Sequence, residues 1–162
     1  MDDWSGRVAA VYASAGSLTE QEIESAIEAL VAERPADDPL ALYELAGVRD
    51  YVGREAEAEP LYRRALDGGL PDADRPFAVI QLASTVRNLG RPQECLDLLR
   101  DEFAEAPQHP LADAATAFAA LALADLGRDR EALVATLHAL TPHLPAYRRA
   151  LDAYADALLE ES

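Results

Sequence analysis

Apolar residues along this chain fall at helical spacing in paired stretches. Leu42, Leu45, Ala46 and Val52 form one stripe, and Ala58, Leu61, Tyr62, Ala65 and Leu66 form another beyond Gly53. Period-two alternation is missing, so no strand is expected. The interruption returns: Gly53-Arg54, Gly90-Arg91 and Gly127-Arg128 are spaced by 37 residues, twice over. Glu57-Ala58, Glu94-Cys95 and Glu131-Ala132 keep the same offset behind them. Leu45-Ala46, Leu82-Ala83 and Ala119-Ala120 align upstream, and Leu66, Phe103 and Leu140 align downstream. A constant period of this size marks stacked supersecondary units, each read here as two helices.

Each glycine fits a helix C-terminus, where a positive φ lets the chain turn. Pro92 fits the first turn of the next helix, and most other prolines fall between helices. The small residue at Ala58, Cys95 and Ala132 suits a place where two helices approach closely. Leu66, Phe103 and Leu140 are expected to plug the gap to the following unit. Pro60 falls inside a helix and is expected to kink it or delay its start. Ahead of the repeats, Trp4, Val8, Val11 and Tyr12 form a stripe, and Ser17 or Thr19 caps a second helix, Thr19 with Glu22 making a capping box. Behind them, Pro145 is expected to open a last helix with Tyr147, Leu151, Tyr154 and Leu158 on its inner face. Nine helices result.

These residues resemble the tetratricopeptide repeat family. The matching positions are Leu42, Leu45, Ala46, Gly53, Ala58, Tyr62, Ala65 and, one residue late, Pro71 in the first unit. They are Val79, Leu82, Ala83, Gly90, Cys95, Leu99 and Pro107 in the second, and Ala120, Leu123, Gly127, Ala132, Ala139 and, one residue late, Pro145 in the third. Arg49 departs from the family's aromatic position, alanines at 46, 83 and 120 replace its glycine, and the period exceeds the usual one. The resemblance implies an all-α, right-handed α-solenoid in a single domain spanning 1–162. An irregular helix pair over 1–38 would precede repeats at 39–75, 76–112 and 113–146, and a capping helix would close the chain at 146–162. It further implies that the first helix of each unit lines a concave groove. The groove residues carried over are Tyr43, Gly47, Asp50 and Tyr51, then Ile80, Ser84, Arg87 and Asn88, then Ala117, Leu121, Ala124 and Asp125. Tyr43, Asp50, Tyr51, Ile80, Ser84, Arg87 and Asn88 are the candidates for contact with a peptide. The carboxylate clamp of some family members is not expected, because Gly47 and Ser84 stand where it needs Asn, and the chain has no Lys.

Charge narrows the partners. The formal net charge is −16, and all 14 basic residues are Arg. Such a surface repels phosphate backbones and anionic lipid, so neither nucleic acid nor membrane is expected as a partner. The acidic start, Met1-Asp2-Asp3, lacks the basic region of a secretory signal, and the longest apolar run, Ala117 to Ala124, is too short to span a bilayer. A cytoplasmic protein is the expectation.

Candidate chemistry is sparse. Cys95 is the single cysteine and reads as a buried small residue of the repeat. His138 and His143 could form a metal pair, although a His near a helix C-terminus is favoured by the helix dipole alone. Asp37-Asp38 before Pro39 reads as a helix cap. No catalytic motif stands out, so neither enzymatic activity nor a cofactor is expected. The expected function is a scaffold binding a peptide or protein segment. The alternatives are a homodimerisation module, and a metal-binding or enzymatic helical domain built on the histidines.

Overall fold

A computed structural model describes residues 3–160. Met1 and Asp2, on which the reading of the chain start rests, and the chain beyond Glu160 lie outside the described residues. Among the described residues the regular structure is entirely helical. In chain order the helices are α1 (Trp4–Ala13), α2 (Glu20–Val31), α3 (Pro39–Tyr51), α4 (Glu55–Asp67), α5 (Arg75–Asn88), α6 (Pro92–Phe103), α7 (Ala112–Asp125), α8 (Asp129–Leu140) and α9 (Arg148–Glu160). Short 3-10 turns at Ala15–Ser17 and Thr141–His143 complete the set. The chain divides into two compact units, the first ending at Thr85 and the second beginning at Val86, within α5.

The repeated Gly-Arg marks one turn built three times. Gly53, Gly90 and Gly127 have φ of 74, 82 and 72°. The Arg54 N–H donates to Arg49 O at 2.8 Å, Arg91 to Val86 O at 3.0 Å and Arg128 to Leu123 O at 2.9 Å. Each glycine N–H donates to the carbonyl three residues back, at 2.9–3.0 Å. This paired 6→1 and 5→2 bonding is the Schellman motif, and the left-handed residue it needs is glycine. The following arginine then pairs with the glutamate of the next helix's first turn. Arg91 lies 2.9 Å from Glu94, Arg128 2.6 Å from Glu131, and Arg54 3.8 Å from Glu57. The Glu side chains also sit at the positive end of their helix dipole.

In the first unit α1 packs on α2, α2 on α3, and α3 on α4. Trp4, Val8, Ile23, Ile27, Leu30 and Val48 form its core, with Val11, Tyr12 and Leu45 against it. Trp4 is buried, its indole N–H donates to Leu30 O at 2.8 Å, and the Arg34 guanidinium lies 4.4 Å over its ring. Thr19 caps α2 through the capping box: the Glu22 N–H donates to Thr19 Oγ1 at 3.3 Å, and the Thr19 N–H donates to Glu22 Oε2 at 2.8 Å. Asp38 caps α3, accepting from the Ala41 N–H at 3.0 Å, with Pro39 in the first turn. Ala46, Ala58, Tyr62 and Ala65 on α3 and α4 are wholly buried, as close helix approach requires of small residues. Helix α4 begins at Glu55 despite Pro60, so the proline does not delay it. Arg49 is half-buried among carboxylates: Glu24 and Glu28 of α2 bind its guanidinium, and Glu57 of α4 lies 3.5 Å away. A partly exposed ionic contact thus stands where the family has an aromatic residue.

In the second unit α6 packs on α7, α7 on α8, and α8 on α9. Ala120, Leu123 and Ala132 cluster with Leu96, and Cys95 is fully buried. Two expectations are corrected. Helix α9 starts at Arg148, leaving Tyr147 before it at φ 65° and 82% exposed, and Tyr154 is 71% exposed. The side turned inward carries Ala155, with Leu151 and Leu158 partly buried beside it. On this face His138 of α8 lies 3.6 Å from Asp152 and 3.1 Å from Asp156 of α9, at the exposed edge of the contact. Burying Ala155, with Leu151 and Leu158 beside it, leaves Tyr154 on the open flank. Leu140 is 48% exposed and plugs no gap, since the chain leaves α8 there and Thr141 takes the buried place instead.

Candidate functional site, a tyrosine-lined hollow in the first unit

Helix periodicity places Tyr43, Gly47 and Tyr51 on one face of α3, each four residues from the next. Tyr12 of α1 and Gln81 of α5 join them around a hollow of about 460 Å³ that also includes Glu44. Gly47 keeps its floor open. A Cβ there would stand 3.4 Å from Tyr12 Oη and 3.8 Å from Tyr62 Oη, so two phenol oxygens converge on the space it leaves. Tyr62 rises from α4 beneath, its ring centroid 6.2 Å from that of Tyr43 at a tilt of 50°.

The electrostatics follow from burial without a compensating cation, because no basic residue lines this hollow. Burial, then the nearby charge of Asp74, pushes the Glu44 carboxyl up to about 7, and a hydrogen bond from Tyr12 only partly offsets this. Burial first, then Glu44 and Asp74, lifts the Tyr43 phenol to about 12. Burial likewise drives Tyr12 and Tyr62 far above the ordinary phenol range. Asp50 is raised by burial, with the Thr85 hydroxyl pulling the other way. Tyr62 Oη and Gln81 Oε1 are buried and have no hydrogen-bond partner among the described residues. Buried polar atoms left in this state carry a desolvation cost, and each asks for an explanation.

Of the residues singled out from the sequence, Tyr43 and Tyr51 line the hollow, and Asp50 lies half-buried on the same helix. Ile80 is buried and Ser84 partly so, both in the first unit. Arg87 and Asn88 belong to the second unit, where Arg87 Nε lies 2.6 Å from Asp125 Oδ2 and Asn88 is exposed. Ala117, Leu121 and Ala124 are exposed on α7. Sequence reading missed Glu44, Tyr62 and Gln81 as site residues and read Tyr12 only as part of an apolar stripe. Tyr12's place in the α1 stripe was the available signal; Glu44 has none, being one acid among many.

The second unit has its own hollow of about 720 Å³, lined by Leu96, Leu99, Phe103 and Leu123, with Arg100 and Arg128 also among its lining residues. Both arginines are already paired, Arg100 with Asp97 and Asp101 and Arg128 with Glu131. His138 goes to Asp152 and Asp156, and His143 to Asp113 at 2.8 Å, so the two histidines serve separate carboxylates. Among the described residues no group of three or more His, Cys, Asp or Glu is placed to hold a metal ion. The Cys95 thiol is pushed up to about 11, chiefly by burial, which makes it a poor nucleophile.

Three Schellman-linked helix pairs at constant spacing define a helical-repeat protein. A family model described as tetratrico peptide repeat matches residues 39–158, and the chain belongs to the tetratricopeptide repeat family. Two crystal structures of nearly identical TPR-like repeats, from a Podosopora anserina protein designated a putative kinesin light chain, share the fold. One of them, a point variant of that protein, is 18% identical with a TM-score of 0.67, and the match covers 99% of this chain and 94% of that one. The other has the same identity and TM-score, covering 96% and 91%. No curated protein matches the sequence significantly. Such repeats generally serve as protein-interaction modules rather than catalysts. No helix among the described residues is long and apolar enough to cross a membrane.

Proposed function

We propose that the protein is a non-catalytic scaffold that binds a peptide or protein segment, and that the first unit's tyrosine-lined hollow is where a side chain of that segment enters. The observation that carries this reading is the pair of orphaned buried atoms, Tyr62 Oη and Gln81 Oε1, beside an open floor at Gly47. A fold element with no ligand to bind gains nothing by leaving them unsatisfied. Tyrosine supplies large contact area at small entropic cost, which suits a segment-binding surface. Selection from a displayed library of random twelve-residue peptides tests the reading. Segments recovered on the wild type should be lost on a Tyr43→Ala, Tyr51→Ala double variant, and unchanged recovery would refute it.

Self-association is the second reading, favoured by the exposure of Tyr154 and Leu159 on α9. Light scattering across a hundredfold range of concentration separates the two. A dimer abolished by Tyr154→Ser would support self-association, and a monomer throughout would exclude it.

A further inference from the structure

We infer that the hollow in the first unit is built for a cationic side chain of the bound segment, and for arginine above lysine. The inference rests on the segment-binding reading and adds the chemistry of what enters. Tyr43 and Tyr51 flank the space with aromatic rings, whose faces attract a guanidinium. The Glu44 carboxyl lines the hollow, and behind its wall lie two buried polar atoms without a partner among the described residues, Gln81 Oε1 and Tyr62 Oη, the first an acceptor and the second able to accept or donate. They are carried by three helices, α3, α4 and α5. A guanidinium offers five donors in a flat fork and meets separately placed acceptors better than the compact ammonium of lysine. No arginine is among the lining residues, so no internal cation already fills this role. The net charge of −16 steers a basic segment toward the chain and repels an acidic one.

No basic residue lines the space around Glu44, and only the Tyr12 hydrogen bond favours its ionised form. Tyr12 faces it from α1, Tyr43 and Asp50 lie with it on α3, Tyr62 rises from α4, and Asp74 approaches from the segment before α5. An entering cation therefore meets an acid in a hollow that no basic residue lines, and binding should release a proton near neutral pH. Affinity should rise between pH 5.5 and 8.5.

The test is a titration of the full chain with blocked ten-residue peptides, identical except for a central Arg, Lys, citrulline or Glu. It is followed by NMR at the Gly47 backbone amide and the Gln81 side-chain amide. The arginine peptide should shift both signals and bind at least tenfold more tightly than the citrulline peptide, with lysine between them. Glu44→Gln should remove most of that difference, and so should Tyr51→Ala, a change at a half-exposed side chain that leaves the core intact. If citrulline or Glu peptides shift the same signals equally well, the cationic inference fails while segment binding stands. If no peptide moves either signal, segment binding at this hollow fails with it.

Discussion

Replacing Glu44 by Gln should make the protein more stable at alkaline pH and leave it nearly unchanged at pH 5. In the folded chain the carboxyl is raised from 4.5 to about 7. Between those two values the folded state therefore holds a proton that the unfolded state has released. The contribution of Glu44 to stability is fully present below pH 4.5, declines as pH rises through that window, and is lost above about 7. At about 1.4 kcal/mol per pH unit, the difference corresponds to roughly 3.5 kcal/mol as an upper bound. Water reaching the partly exposed carboxylate screens this, so an effect of about 1–3 kcal/mol is expected. Glutamine matches glutamate in size and helix propensity, and its carbonyl can still accept from Tyr12. It cannot ionise. The carboxylates held low by local hydrogen bonds, Glu22, Glu33 and Glu131, are present in both proteins and cancel in the comparison. The assay is urea unfolding followed by helical circular dichroism at pH 5 and pH 8.5. A stability gap that is the same at both values, or a variant weaker at pH 8.5, would refute the reasoning.

Other perturbations probe the frame. Trp4→Phe deletes the indole N–H, so Leu30 O loses its 2.8 Å donor and keeps the Glu33 N–H at 3.2 Å, and urea unfolding should show a loss of about 0.5–1.5 kcal/mol. Gly90→Ala puts a Cβ into open space but at φ 82°, so its cost is backbone strain alone, about 1–2 kcal/mol in thermal or urea unfolding, and Gly90→Asn should cost less. Pro60→Ala restores an amide donor inside α4 at an exposed position and should stabilise the fold by about 1–3 kcal/mol by the same measurement.

The helix pairs were legible because their signals are local. A Schellman turn needs glycine at one position, a capping box needs Thr and Glu at a fixed spacing, and a close crossing needs a small residue. Each is written within a few neighbouring residues. What escaped depends on contacts between helices distant in sequence. Arg49 looked like a defect in an aromatic position until α2 brought Glu24 and Glu28 to it. The rotation of α9 buries Ala155 rather than Tyr154 and brings Asp152 and Asp156 to His138, which no apolar stripe reveals. The hollow was half legible: Tyr43 and Tyr51 follow from repeat register, whereas Glu44 and Gln81 acquire meaning only when α1, α3 and α5 surround one space.

The Gly-Arg turns also bear on how such a chain can change length. The connections inside the helix pairs, residues 52–54, 89–91 and 126–128, are equally short, while those between pairs, 68–74 and 104–111, are longer. A hydrogen-bond pattern that counts residues tolerates no insertion, so natural variants and grafted loops should accumulate between pairs and spare the joints within them.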